Sequence, residues 1–63
     1  DQDNPRWQRD LFYAEAAMSR LLDRQGQQEA ASAHRLAAAA AGRKAMEAFP
    51  ADTALRQELA QLD

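Results

Sequence analysis

Large apolar residues stand at Trp7, Leu11, Met18, Leu21 and Leu22, with Ala14 in the gap, a 4-3-4-3 spacing that lines one side of a helix. Phe12 and Tyr13 widen that stripe near its start. Just ahead of it, the run Asp1-Gln2-Asp3-Asn4-Pro5 reads as a helix start, with Asn4 able to accept from the first free amides and Pro5 having no amide to leave unpaired. Arg20 and Arg24 fall where cations suit the negative end of the helix dipole, and Gly26 supplies the left-handed residue that stops the helix. The pattern predicts a helix over about residues 5–25, with Trp7 and Leu11 in the core.

Beyond Gly26 nothing up to Glu47 has poor helix propensity except Gly42, so a second helix is expected over about 27–48. Its inward side reads Ala31, Ala38, Ala41 or Gly42, Ala45 and Phe49, small residues that let two backbones approach closely. The bulky stripe of the first helix is expected to overlap these alanines, with Leu36 and Met46 off the line. Pro50 closes the helix by disfavouring helical geometry at Phe49. Asp52 then caps a third segment over about 53–62, whose apolar residues are Leu55, Leu59 and Leu62. No alternation of apolar and polar residues is long enough for a strand. The expected fold is all-α: an antiparallel hairpin reversing at Gly26, followed by a third helix, in one unit over 1–63. Gly26, as the turn, is expected to tolerate substitution worse than Gly42.

The third segment repeats the first. Trp7-Gln8-Arg9-Asp10-Leu11 and Leu55-Arg56-Gln57-Glu58-Leu59 share the order large apolar, polar, polar, acidic, leucine at an offset of 48 residues, and the same offset carries Asn4 onto Asp52. Periods of this size point to stacked helical hairpins. The pattern Asn-Pro-x-Trp-Gln-Arg-Asp-Leu, then Gln25-Gly26, Ala31, Ala38 and Pro50 opening the next unit, resembles tetratricopeptide repeats, in particular the long-helix variant found in tandem in large bacterial multidomain proteins. The resemblance implies that Gly26 is the turn, that Ala31 and Ala38 are small packing positions, and that Met18, Ser19 and Leu22 take the apolar, small and apolar places late in the first helix. The common repeat is about 34 residues long; the surplus here is most simply two extra turns on each helix. Arg35 stands where the second helix of the family usually carries an aromatic.

The resemblance further implies a superhelical repeat fragment acting as a protein-interaction or scaffolding module of a bacterial, cytoplasmic, multidomain parent. Binding would use the concave side of the first helices, with a protein or peptide as partner. Some relatives of this fold use carboxylate clamps, so Arg9, Arg20 and Arg24 are the candidate partner-binding residues; a solvated helix face with ordinary dipole complementarity is the more common reason for such arginines. At 63 residues the chain is marginal for burying a core of its own. Leu55, Leu59 and Leu62 are expected to have limited cover, which makes a homodimer the alternative reading. Asp1 opens the chain in place of methionine, and a segment of a longer protein is expected.

Charge and chemistry narrow the field. A net charge of -2 with both signs interspersed argues against nucleic acid or an anionic membrane, either of which calls for a basic stripe. The alanine run 37–41 is far short of a membrane span. Without cysteine there is neither a disulfide framework nor a thiolate metal site, and a reducing compartment is allowed. His34 has only Ala30 and Ala38 at its helical neighbour positions, which offer no second ligand or carboxylate, so it reads as a packing histidine. Asp10 and Glu15 diverge around their helix, Ser19 and Ser32 lack a base at neighbouring positions, and the two glycines are isolated. No catalytic residue, cofactor or metal is expected.

Overall fold

The structure, a computed structural model, describes residues 4–62. It is all-α, with three helices, α1 (Pro5–Arg24), α2 (Gln28–Ala48) and α3 (Thr53–Gln61), and no strand among the described residues. The start of α1 is as expected from Asn4 onward: the Asn4 side chain accepts from the Arg6 amide at 2.8 Å, and Pro5 occupies the first helical position. Residues 1–3 of the expected start lie outside the described residues.

The reversal falls at Gly26, which has φ +78°. The amide of Gly26 donates to the Asp23 carbonyl at 3.0 Å and that of Gln27 to the Leu22 carbonyl at 2.9 Å. This pair of bonds is a Schellman motif, which satisfies carbonyls that the end of α1 would otherwise leave open. At the far end of the hairpin the Phe49 amide closes α2 on the Ala45 carbonyl at 2.8 Å. Asp52 then caps α3 through the Leu55 amide at 3.0 Å.

α1 and α2 pack along their length, but not on the line the periodicity predicts. The buried residues of α1 are Gln8, Phe12, Ala16 and Ser19. Trp7, Met18 and Leu21 are about 40% exposed, and Leu11 is half-buried. The expectation of Trp7 as a core residue is thus corrected. The reason lies in α2, whose buried residues are Ala31, Ala38, Ala41, Gly42 and Ala45. Against so flat a surface the helices come closest when α1 also presents small side chains, since the distance between axes follows the side chains at the contact. Ala16 and Ser19 meet that need; a line of Trp, Leu and Met would hold the helices apart. Ser19 stays satisfied in the seam by donating its hydroxyl to the Ala16 carbonyl at 2.8 Å.

One large side chain of α1, Phe12, does enter the core, and it fits where α2 has no side chain at all. A Cβ built on Gly42 would lie 2.8 Å from Phe12 Cδ1 and 2.8 Å from Leu59 Cδ1. Gly42 is therefore the point at which all three helices converge. Phe12 and Leu55 are the two largest fully buried side chains, each worth about 1.5–3 kcal/mol of burial. The α3 face expected to lack cover is covered by the chain itself, with Leu55 and Leu62 buried and Leu59 packed on the same core. Met46 joins that core from α2, while Leu36 is 72% exposed.

These contacts make Gly42 a second demanding glycine beside Gly26, whose backbone is left-handed. Gly42→Ala gains about 0.5–1 kcal/mol of helix propensity but overpacks Phe12 and Leu59, at a cost of about 1–3 kcal/mol; a net loss of stability is expected in denaturant unfolding. Equal stability of the variant would show that both side chains can step aside. At Gly26 a Cβ meets nothing within 4 Å, so Gly26→Ala is expected to cost only the left-handed backbone penalty of about 1–2 kcal/mol, and Gly26→Asn less. Ala38, fully buried on the seam, is expected to lose about 1–3 kcal/mol as Ala38→Leu.

Candidate interaction surface

Rotating α1 so that its small residues face α2 turns its most apolar side outward. Trp7, Ala14, Met18 and Leu21 are exposed down that side, Trp7 and Leu21 each by 41%, and Leu11 between them is partly buried against the core. Tyr13, also exposed, stands apart from this line, its ring set against Phe12 at 5.1 Å between centroids and 63° between planes. A continuous apolar stripe of this length marks a contact surface more often than scattered single residues do.

Of the three arginines expected to bind a partner, Arg9 stands apart, while Arg20 and Arg24 lie one turn apart and with Asp23 line one open hollow. Arg9 reaches from α1 to the α2–α3 turn, where its guanidinium lies 3.4 Å from the Asp52 carboxylate and 4.6 Å from the centre of the Phe49 ring. Arg20 pairs with Glu58 of α3 at 2.8 Å. Arg24 is exposed and makes no ion pair among the described residues. Arg9 and Arg20 are about 16 Å apart along the helix at a rise of about 1.5 Å per residue, so the three do not converge on one carboxylate. Beside Arg20 lies a second open hollow of about 500 Å³ lined by Ser19, Arg20, Asp23, Arg35, Gln61 and Leu62. Its two cations already face carboxylates, Arg20 that of Glu58 and Arg35 that of Asp23 at 3.7 Å.

Of the remaining sequence-marked residues, Ala31 and Ala38 are fully buried on the α2 side of the hairpin, and Pro50 sits exposed in the α2–α3 turn. The Pro50 carbonyl accepts from the Arg56 guanidinium at 2.6 Å. His34 has a partner that helical spacing alone does not reveal: Glu15 lies across the hairpin, 2.7 Å from its Nδ1. With the carboxylate ionised, the ring nitrogen is the donor. The pair is half-buried and spans α1 and α2, which gives His34 a role in setting their register. Ser19, whose hydroxyl is spent on a backbone carbonyl, adds no nucleophile to it. Among the described residues no three potential ligands gather to hold a metal ion, and no helix is long and apolar enough to cross a membrane.

No family model, curated protein or solved structure matches this chain.

A double-mutant cycle on Glu15→Gln and His34→Gln is expected to return a coupling of about 0.2–1 kcal/mol at neutral pH, as for other half-exposed pairs. A coupling of zero in urea unfolding would mean that the two side chains do not hold each other in solution.

Proposed function

We propose that this chain is a protein-interaction or scaffolding module, a tetratricopeptide-like segment of a larger multidomain protein, and that it binds through the open face of α1. The observation that carries this reading is the contrast between two faces in the same register. Leu55 and Leu59 follow Trp7 and Leu11 by 48 residues, and Leu62 follows Ala14 by the same interval. On α3 this face is docked, with Leu55 wholly buried and Leu62 8% exposed. On α1 it is open at Trp7, 41% exposed, and at Ala14, while Leu11, like Leu59, is partly buried against the core. A face that is a docking surface at one end of a unit and uncovered at the other supports a stacked design, in which each unit buries its apolar side only against a neighbour. A bacterial cytoplasmic setting accords with the same resemblance. No reaction is assigned to the module, and its ion pairs read as structural links between helices.

The test compares two baits, the native chain and a Met18→Glu/Leu21→Glu variant, in extracts of cells that express the parent protein. Both substitutions fall on exposed positions, so helicity by circular dichroism should be unchanged. A defined set of proteins held by the native chain and released by the variant is expected. Identical retention by the two would remove the α1 face from the function.

A further inference from the structure

We infer that the open face of α1 takes a second copy of this chain, α1 against α1, in an antiparallel twofold pair. The inference rests on the reading of that face as an interaction surface and names its occupant. Trp7, Leu11, Ala14, Met18 and Leu21 alternate by four and three residues, the spacing that keeps an apolar seam turned toward another helix over several turns. An antiparallel partner makes this seam complementary to itself. In one register Leu11 lies opposite Leu21 of the second copy and Ala14 opposite Met18 of the second copy, and the twofold axis repeats both pairings in reverse. The small residue faces the long one each time. Trp7 lies over the end of the opposing helix at Gln25.

Charge favours the same register. Asp10, Ala17 and Arg24 are spaced seven apart along one flank of the seam, and all three are exposed. Asp10 and Arg24 make no ion pair among the described residues. The register that matches the apolar side chains brings Asp10 beside Arg24 of the second copy and Arg24 beside Asp10 of the second copy, with Ala17 against Ala17 between them. A parallel arrangement would instead set like charge beside like. Along the other flank the residue nearest its own copy is Glu15, and His34 of the same chain holds it at 2.7 Å. The surface is therefore isologous, one patch that completes itself, as closed twofold contacts require.

The experiment is sedimentation equilibrium of the 63-residue chain over a wide concentration range, with circular dichroism to confirm folding. A dimer is expected, and Met18→Glu should leave it a folded monomer. Asp10→Arg alone and Arg24→Asp alone should each raise the dissociation constant roughly tenfold or more, because like charges then meet at both ends of the seam. The double reversal Asp10→Arg/Arg24→Asp should return it to near the native value. A native chain that stays monomeric at millimolar concentration would overturn the inference, as would a dimer that the double reversal fails to restore. In either event, loss of partner proteins from the Met18→Glu/Leu21→Glu bait would show that only the occupant was misassigned, while unchanged retention would take the interaction face down with it.

Discussion

Everything in this small molecule depends on how closely α2 can be approached. Its inner side is alanine interrupted once by glycine, and alanines bring little hydrophobic area of their own. Their contribution is proximity: a surface of methyl groups lets α1 lie against α2 and gives neighbouring atoms short distances at which dispersion attraction is felt. Gly42 is the point where that surface opens, and Phe12 from α1 and Leu59 from α3 close on it from two sides. A chain of 63 residues has few other ways to bury a phenylalanine completely.

The polar links are arranged around this apolar centre. Asp52 both caps α3 and faces Arg9, so the residue that starts the third helix also ties it to the first. Arg20 and Glu58 add a second link between α1 and α3, and Glu15 and His34 join α1 to α2. Each pair is partly exposed, and such pairs contribute roughly 0–1 kcal/mol. Their weight is directional: the alanines of the seam are near-identical, and three charge pairs at separate heights add to the fit of Phe12 on Gly42 in fixing how the helices sit.

The close approach has a consequence for function. A helix that puts small residues inward must place its large ones elsewhere, and in α1 they form an outward stripe from Trp7 to Leu21. Interior packing and an external apolar surface therefore follow from one choice of rotation. In α3, which has no hairpin partner of its own, the equivalent leucines are spent on the core. The same register of residues serves cohesion within the unit in one helix and contact beyond it in the other.

The number of helices, their ends and the point of reversal were determined by local features of the chain. Asn4 and Asp52 cap, Gly26 takes the left-handed conformation, and Phe49-Pro50 ends α2, all through interactions within a few residues of one another. The inward side of α2 was equally legible, since Ala31, Ala38, Ala41 and Ala45 are the small residues on a single side. The inward side of α1 was not, because hydrophobic periodicity identifies the stripe most averse to water and is silent on which stripe fits the neighbour. Only the packed hairpin decides that, by favouring Ala16 and Ser19 over Trp7 and Met18, and by admitting Phe12 where Gly42 leaves room. The pairing of Glu15 with His34 and of Arg9 with Asp52 belongs to the same class, for each joins residues far apart along the chain whose meeting exists only once the helices have chosen their rotation.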